Sequence, residues 1–543
     1  MSPHGAVRQL PAGIRLGEDA GAYAFYGVLA AVHSAALVGI DAYSVTVEVD
    51  AAPGLPQFAI VGLPAGAVKE SRERVGAALA NTGFRLPPRR ITVNLAPADT
   101  RKEGTAFDLP IALGILVSTG QLPAASLEGV MALGELGLDG ALRAVRGALP
   151  VARLAKSTGQ RALIVPPANV AEAGLVGDVA LAAPETLHTL VDELRAGVLR
   201  EPPARPRLVI PDDLDDLSDV AGQESAKRAL EIAAAGGHNV LLTGPPGAGK
   251  TMLARRLPGI LPALTEGEAL EVTAVHSVAG MLASGCALVR RGPFRAPHHT
   301  ISDAGLIGGG NPPRPGEVSL AHHGVLFLDE VLEFRRHVLE ALRQPLEDGR
   351  VIIARAGHSV AFPARVLLVG AMNPCPCGYA GDASRPCVCA IGDVARYRGR
   401  LSGPLLDRVD LRVEVRAVAV GSLAGARGAQ RSREVRQRVD AARLVQRARF
   451  ARLSGVECNA RAPGRWLDAH GGLAEDGHRL LVKAAERGVL TARGYHRTVR
   501  VARTIADLDE APGIHAPHIA EALRFRLGGT AEQPSATPAQ AVT

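Results

Sequence analysis

The segment GPPGAGKT, residues 244–251, decides the fold of this chain. The apolar run His238–Thr243 before it is typical of a short strand, and Met252–Leu257 after it is typical of the start of a helix. Glycines let such a strand-to-helix turn curl so that its backbone N–H groups cradle phosphate oxygens. The spacing G-x-x-x-x-G-K-[ST] predicts that Lys250 places charge near the β- and γ-phosphates and that Thr251 offers its hydroxyl to Mg²⁺. The predicted cradle residues are Gly244, Pro245, Pro246, Gly247, Ala248, Gly249, Lys250 and Thr251.

A second apolar run, Val325–Leu328, ends in two acids about eighty residues further on. Its composition is typical of a buried parallel strand. A carboxylate at the end of such a strand lies beside the phosphate loop, so Asp329 is predicted to hold Mg²⁺, directly or through water. Glu330 is then placed to orient and deprotonate an attacking water molecule. Together the two motifs predict nucleotide binding with hydrolysis.

Length and composition limit the class of protein. The 543 residues include 61 lysines and arginines and 54 aspartates and glutamates, which gives a net charge of +7. A chain of this length exceeds the usual size of one hydrophobic core, so we expect two or three domains. The sequence has no run of eighteen apolar residues and no N-terminal signal pattern, and we therefore expect a soluble, cytoplasmic protein without a membrane partner.

Strand and helix patterns divide the chain into predicted domains. Ser44–Val49 and Phe58–Val61 alternate like strands, and Phe107–Leu116 is apolar enough for a buried helix. The predicted order is a loose tail at 1–25, an α/β domain at 26–200, a proline-rich linker at 201–214, an ATPase core at 215–415, a helical domain at 416–528 and a polar tail at 529–543.

Several stretches resemble the ComM/YifB family of magnesium-chelatase-like AAA+ proteins. They are GLPQFAIVGLP at 54–64, ESRERVGAAL at 70–79, PPRRITVNLAPAD at 87–99, KEGTAFDLPIALGIL at 102–116 and RAPHHTISDAGLIGGGNPPRPGEVSLAHHG at 295–324. The resemblance extends over roughly residues 28–528. It implies an α/β fold with a Lon-protease-like N-terminal domain, a three-layer αβα AAA+ core and an α-helical C-terminal lid.

The resemblance also implies a Mg²⁺-dependent ATPase that works as a homohexameric ring. Resemblance to this family implies translocation on single-stranded or branched DNA with low sequence specificity, as a branch-migration helicase in recombination and natural transformation. The alternative is protein remodelling or a magnesium-chelatase-like role, although no integrin-type or cobalamin-like partner domain is fused here. Lon-type proteolysis needs a serine nucleophile and a lysine base. Alignment with Lon places Ala106 and Leu149 at those positions, and neither can do that chemistry.

The family's catalytic positions fall on specific residues of this chain. Asn373, after the strand pattern Val366–Met372, matches sensor 1, which helps to align the attacking water. Arg408 matches an arginine finger that acts across a subunit boundary on the γ-phosphate. The sensor-2 arginine aligns with Arg493, and Arg497 and Arg500 are the other candidates on the same predicted helix.

Four sets of residues keep two interpretations open. The first set, Cys375, Cys377, Cys387 and Cys389, predicts either a structural Zn²⁺ site or four metal-free loop thiols. The histidine pairs at 298–299 and 322–323 are either metal ligands or hydrogen-bonded loop histidines. A predicted β-hairpin at 350–362 presents Arg350 and Arg355 either to DNA in a pore or to solvent. The predicted helix at 427–452 holds nine arginines and two acids, and it either follows a nucleic-acid backbone or is simply solvated. The glycine-rich tip at 308–310 is predicted to be a mobile pore loop.

Overall fold

The computed structural model describes residues 29–202, 215–282, 285, 288–355, 358–382, 385–417, 430–488 and 490–527. The predicted tails at 1–25 and 529–543 lie outside these residues, and so do positions 203–214 of the predicted linker. Among the described residues, no helix is both long enough and apolar enough to cross a lipid bilayer.

The N-terminal domain is built on a seven-stranded mixed sheet in the order β3-β4-β2-β1-β5-β8-β9. β1 pairs antiparallel with β2 and β2 pairs antiparallel with β4, whereas the remaining pairs are parallel. The predicted strands at 44–49 and 58–61 are confirmed within β2 and β3. The strands of this domain are β1 Ala30–Val38, β2 Asp41–Ala52, β3 Gln57–Val61, β4 Arg90–Ala96, β5 Val130–Ala132, β6 Glu135–Leu136, β7 Leu142–Arg143, β8 Ala162–Ile164 and β9 Ala180–Ala182.

Helices cover this sheet. The predicted buried helix is confirmed as α3, in which every residue is buried. α3 lies directly against β2, because a Cβ added at Gly114 would stand 2.4 Å from Cγ2 of Val49. The helices of the domain are α1 Gly66–Lys69, α2 Ser71–Asn81, α3 Asp108–Ser118, α4 Ala148–Ser157, α5 Val170–Ala173 and α6 Leu187–Arg195.

The second domain contains a five-stranded parallel sheet in the order β11-β14-β17-β10-β18. Its central strands are apolar because helices cover both faces of such a sheet. Two antiparallel hairpins, β12–β13 and β15–β16, stand apart from this sheet. The strands are β10 Val240–Thr243, β11 Phe294–Arg295, β12 Gly308–Gly309, β13 Arg314–Pro315, β14 Val325–Leu328, β15 Arg350–Arg355, β16 His358–Pro363, β17 Leu367–Met372 and β18 Leu411–Glu414.

The helices of the second domain precede a C-terminal helical group that packs against it. Leu230, Val439 and Ile505 belong to one buried cluster, which joins the C-terminal helices to the core. The core helices are α7 Glu224–Gly236, α8 Lys250–Ile260, α9 Glu266–Ala279, α10 Asp303–Leu306, α11 Glu317–Leu320, α12 Arg336–Ala341, α13 Arg343–Asp348, α14 Ile391–Arg398 and α15 Gly403–Leu406. The C-terminal helices are α16 Ser432–Phe450, α17 Gly464–His470, α18 Glu475–Glu486, α19 Ala492–Leu508 and α20 Ala516–Leu527.

The structure gives further detail on three predicted elements. The arginine-rich helix begins at Ser432, and Arg427 lies outside the described residues. In the tip at 308–310, Gly308–Gly309 forms a ladder with Arg314–Pro315, and the mobility of this tip stays a prediction. The hairpin at 350–363 is confirmed, with its turn at 356–357 outside the described residues.

Candidate nucleotide-hydrolysis site

The three motifs meet because the strands before them are parallel neighbours. β17 lies between β10 and β14, so the carboxyl ends of all three strands reach the same edge of the sheet. The phosphate loop follows β10, Asp329 follows β14, and Asn373 follows β17. Ligands of open α/β sheets bind at this edge.

The loop at 244–249 has the backbone that a phosphate cradle requires. Gly247 and Gly249 have φ values of +75° and +88°, in the left-handed region that side chains disfavour. Gly244 is required for space, because a Cβ there would stand 2.1 Å from the Val415 carbonyl oxygen. α8 begins at Lys250, so the unpaired N–H groups of its first turn face the cradle.

Lys250 joins the loop to the sensor-1 position. Its Nζ donates to the carbonyl oxygens of Gly244 and Pro245, at 2.6 and 2.9 Å, and to Oδ1 of Asn373 at 3.0 Å. Burial lowers the pKa of the Lys250 ammonium, and the nearby carboxylates of Asp329 and Glu330 oppose that shift. The ammonium is therefore held at the mouth of the loop, in contact with Asn373.

Thr251 and Asp329 offer two oxygen ligands side by side. Oγ1 of Thr251 donates to Oδ2 of Asp329 at 2.7 Å, across the gap between α8 and β14. Hydroxyl and carboxylate oxygens are the ligands that Mg²⁺ prefers, and Mg²⁺ commonly uses one or two such protein ligands together with phosphate oxygens. These two residues fit a Mg²⁺ ion bound next to the phosphate loop.

Glu330 lies at the same edge in an unusual conformation. Its φ and ψ are 48° and 48°, and its N–H donates to Oδ1 of Asp329 at 3.0 Å. Its side chain is 60 % exposed, so water has access to it. Non-glycine residues in the left-handed region are often found at functional sites.

His299 lies next to Glu330 at this site. The sequence did not predict this position. Its Nδ1 lies 3.9 Å from Oε2 of Glu330, and its ring stands edge-on to buried Phe334 with centroids 6.4 Å apart. β11 is parallel to β14, so the segment after β11 reaches the edge where Glu330 lies. The sequence pattern does not reveal this pairing, because β11 has only two residues and is too short to show as a strand.

The segment at 217–223, which precedes α7, lies next to the phosphate loop. Nε2 of Gln223 donates to the Arg416 carbonyl oxygen at 2.6 Å and to the Ala248 carbonyl oxygen at 3.3 Å. Gln223 thus joins the segment before α7 to the cradle and to the end of β18.

The side chain of Arg408 makes its contacts away from the phosphate site of the same chain. Its Nη1 donates to the Pro404 carbonyl oxygen at 2.8 Å, its Nη2 pairs with Glu347, and its side chain is 12 % exposed. Among the contacts of the described residues, none joins the Arg408 guanidinium to Lys250 or Asp329.

Arg497 holds the segment that carries Arg408. Its Nη1 donates to Oδ1 of buried Asp410 at 2.6 Å and to the Arg408 carbonyl oxygen at 3.3 Å. Burial alone would raise the pKa of the Asp410 carboxyl, but the neighbouring His238 ring, 3.5 Å away, and the charge of Arg497 hold that pKa well below its usual range. Arg497 is therefore engaged in a buried ion pair.

The other two sensor-2 candidates differ in their freedom to move. Nε of Arg500 donates to the Ala462 carbonyl oxygen at 2.9 Å, and burial lowers its pKa. Arg493 is exposed in the first turn of α19, and the described residues give its guanidinium no hydrogen bond. The sensor-2 role of Arg493 stays a prediction.

The four predicted cysteines come together. Their sulfur atoms all lie within 4.8 Å of one another. Cys375, Cys377 and Cys387 show Sγ–Sγ distances of 3.3, 3.6 and 3.6 Å, and all described cysteines are free thiols. A group of four thiols at this spacing is able to bind a metal ion.

The histidines at 322–323 form hydrogen bonds within the protein and are not arranged as metal ligands. The backbone N–H of Arg365 donates to Nδ1 of His322 at 3.0 Å, so the proton of the neutral ring is on Nε2, which donates to Glu271 at 2.9 Å. Burial lowers the pKa of His322 to about 4. Both nitrogens of His322 are thereby occupied, although Glu271, His322 and His323 lie close enough to surround an ion. At 298–299, Nδ1 of His298 lies 2.9 Å from the Thr300 hydroxyl.

The predicted DNA-contact residues occupy different settings. Arg350 is exposed at the start of β15, whereas the side chain of Arg355 lies outside the described part of the chain. In the same hairpin Val351 and Phe362 are buried, so one face packs on the core.

In the described part of 427–452, four arginines bind within the chain. Two donate to main-chain carbonyl groups at the core surface and two pair with carboxylates, so they attach α16 instead of facing solvent. The pairs are Arg436 with Gly259, Arg443 with Ala234, Arg438 with Glu231 and Arg449 with Asp507.

Comparison with known proteins agrees with this architecture. The chain matches three sequence families, described as magnesium chelatase, subunit ChlI (residues 216–423), subunit ChlI of Mg-chelatase (47–169), and magnesium chelatase, subunit ChlI C-terminal (429–526). It is 46 % identical over 508 residues to the competence protein ComM of Haemophilus influenzae, with 92 % of this chain and 97 % of ComM covered. It is 43 % identical over 506 residues to YifB of Escherichia coli, with 92 % and 97 % covered.

A more distant match is the magnesium-chelatase 38 kDa subunit of Cereibacter sphaeroides. It is 27 % identical over 216 residues, which cover 37 % of this chain and 58 % of that subunit. Membership of such an AAA+ family implies ATPase activity, in agreement with the arrangement around Lys250. With nearly half of its residues identical to ComM over almost the whole length of both proteins, the chain belongs to the ComM/YifB family of magnesium-chelatase-like AAA+ proteins.

Proposed function

We propose that this protein forms a homohexameric ring in the cytoplasm that hydrolyses ATP to move along DNA, as a branch-migration helicase in recombination and natural transformation. The observation that carries the motor is the meeting of Lys250, Thr251, Asp329 and Asn373 at one sheet edge. The 46 % identity to a competence protein, which extends over 97 % of that protein's length, supports the DNA substrate. The cofactors are ATP and Mg²⁺, with a structural Zn²⁺ at the four cysteines.

In this proposal each residue has one task in hydrolysis. Lys250 and the loop N–H groups bind the β- and γ-phosphates, while Thr251 and Asp329 would hold a Mg²⁺ ion, which would supply positive charge beside the phosphates. Asn373 orients a water molecule and Glu330 accepts its proton as the water oxygen attacks the γ-phosphorus. The bond from that phosphorus to the bridging oxygen breaks, which gives ADP and phosphate.

The position of Arg408 supports a ring. A guanidinium is needed to stabilise charge on the transferring phosphoryl group, and an arginine supplied by a neighbour accelerates such reactions by about 10³–10⁵. In its own chain the Arg408 guanidinium contacts Pro404 and Glu347 instead of the phosphate site, so it would act on the site of an adjacent copy once the Glu347 pair opens.

The exposed edge of the β15–β16 hairpin supports DNA contact. Arg350 is exposed while the opposite face of the hairpin is anchored in the core, which fixes the direction in which its charge projects. Contacts of this kind reach phosphates instead of base edges, so binding should be largely indifferent to sequence.

The alternative function is protein remodelling or a magnesium-chelatase-like role. The family descriptions and the 27 % identity to a magnesium-chelatase subunit favour it. That match covers 37 % of this chain, compared with 92 % for ComM, and we therefore prefer the DNA substrate.

The deciding experiment compares ATPase rates without DNA, with single-stranded DNA and with a synthetic four-way junction. We expect DNA to stimulate hydrolysis and the junction to be moved in an ATP-dependent way. Arg350→Ala and Arg355→Ala should weaken stimulation while basal turnover stays near that of the unmodified protein. The matched control is Arg85→Ala, which removes an exposed arginine of the N-terminal domain.

Salt dependence adds a second measurement. Each lost phosphate contact on duplex DNA should reduce the log–log salt slope by about 0.9, and Arg85→Ala should leave the slope unchanged. ATPase-active rings that neither bind DNA at low salt nor move the junction would favour the remodelling alternative.

A further inference from the structure

We infer that the four-cysteine cluster is a zinc site that holds the Asn373 segment against the phosphate loop, so that the ion is needed for turnover more than for nucleotide binding. The part of this inference that concerns turnover rests on the proposed ATPase function. The part that concerns the metal site rests on the cysteines alone.

The sulfur geometry fits a tetrahedral zinc ion. With Zn–S bonds of about 2.3 Å, a regular tetrahedron places its sulfur atoms about 3.8 Å apart. The observed separations of 3.3 to 3.6 Å among Cys375, Cys377 and Cys387 need only a small expansion. The N–H of Cys377 donates to Sγ of Cys389, and the N–H of Ala380 donates to Sγ of Cys375, both at 3.3 Å. Donors aimed at sulfur stabilise the thiolate form that binds metal.

The segment around the cluster has little hydrophobic anchoring of its own. Val388 and Ile391 are 86 % and 91 % exposed. All residues of α14, which begins two positions after Cys389, are exposed or partly exposed. A segment that buries so little apolar surface needs another source of stability, and a bound metal provides folding free energy in such cases.

The cluster is joined directly to the nucleotide site. Cys375 follows Asn373 by two residues, and Asn373 contacts Lys250 at 3.0 Å. Gly378 packs on the loop so closely that an added Cβ would lie 2.6 Å from Cδ of Pro246. Nε of Arg398, at the end of α14, donates to the Pro374 carbonyl oxygen at 3.0 Å. The ion would therefore fix the loop that sets the position of the Asn373 amide.

The first test is metal content. Protein made with adequate zinc and purified without chelators should carry one zinc per chain by mass spectrometry of the metal. Cys458→Ala, which removes a buried thiol outside the cluster, should keep that zinc, and the double variant Cys387→Ser with Cys389→Ser should lose it. Absence of zinc from the unmodified protein would overturn the inference.

The second test removes zinc from the unmodified full-length protein with a mercurial and a chelator and then restores it. Because a misplacement of 1 Å can cost roughly 100-fold in rate, we expect turnover to fall at least about tenfold while affinity for a fluorescent ATP analogue changes less than about threefold. Hydrogen exchange should accelerate at 373–398 and stay unchanged in α19. Equal turnover with and without zinc, or a loss of protection throughout the chain, would overturn the local role.

A third variant separates the contact from the metal. Gly378→Ala keeps all four cysteines but adds a methyl group against Pro246 at a φ of +89°. We expect one zinc per chain, as in the unmodified protein, and slower turnover. Turnover at the unmodified rate would contradict the proposed contact.

The unmodified protein separates the zinc inference from the proposed function. Zinc-bound rings of the unmodified protein that hydrolyse ATP but do not respond to DNA would refute DNA translocation alone. Zinc-bound unmodified protein without any turnover would refute the ATPase proposal.

Discussion

Replacing Arg497 with alanine should destabilise the C-terminal helices through one buried carboxylate. Asp410 is 5 % exposed, and its Oδ1 accepts from Nη1 of Arg497 at 2.6 Å. In the variant Arg497→Ala that carboxylate stays buried without its charged partner. It keeps the N–H of Asn239 at 3.2 Å and lies 3.5 Å from Nδ1 of His238.

The size of the effect follows from these contacts. Removing one partner of a buried ion pair costs about 3–5 kcal/mol. The Arg497 side chain is 22 % exposed and Asp410 keeps other contacts, so the lower end of the range applies, about 3 kcal/mol. A change of 1 kcal/mol lowers Tm by about 2–4 °C in a cooperative unit of 150–250 residues. We therefore expect a decrease in Tm of roughly 6–12 °C.

Differential scanning calorimetry of the full-length protein measures this shift. The matched control is Arg493→Ala, which removes an exposed arginine from the same helix and should change the free energy of unfolding by less than about 0.5 kcal/mol. Arg497→Lys keeps a charge and should lie between the two. If Arg497→Ala and Arg493→Ala shift Tm equally, the ion pair with Asp410 does not have the role argued here.

Three further predictions concern the site and its surroundings. Lys250→Ala should abolish nucleotide binding or turnover, whereas Glu330→Gln should keep binding and lose about 10²–10⁴ in rate; unimpaired turnover in both variants, measured with ATP affinity, would refute the site. Mixing Arg408→Ala with Glu330→Gln subunits should restore part of the ATPase rate, and mixed rings no faster than the sum of the separate variants would exclude a shared site. Because the folded-state pKa of His322 is lowered to about 4, its neutral ring stabilises the fold above pH 6.5, and this contribution, on the order of 3 kcal/mol, is lost as pH falls from about 6.5 to 4. Denaturant unfolding at several pH values should show the free energy of unfolding decreasing over this range, and decreasing less in His322→Gln. An identical pH dependence in both proteins would count against the buried neutral ring.

The sequence by itself determined the features that depend on neighbouring residues. The phosphate loop, the strands that end at Asp329 and Asn373, the hairpin at 350–363 and the buried helix α3 were all predictable. Each follows from backbone preferences or from the spacing of apolar residues over a few positions. The grouping of the four cysteines was predictable for the same reason, since two short pairs lie close together in the chain.

Other features depend on contacts between residues far apart in the chain. His299 reaches Glu330 only because β11 and β14 are parallel neighbours, and the protonated nitrogen of His322 is set by the backbone of Arg365. Arg497 and Arg493 look equivalent in the sequence, yet only Arg497 meets the carboxylate of Asp410.

The arginines of α16 show the same limit. Their charges alone are as compatible with a nucleic-acid partner as with solvent, but packing against α7, α8 and α19 brings four of them to partners in the chain. A charged side chain takes the partner that lies within a few ångströms, and its position relative to distant residues is decided by the packing of helices on the sheet.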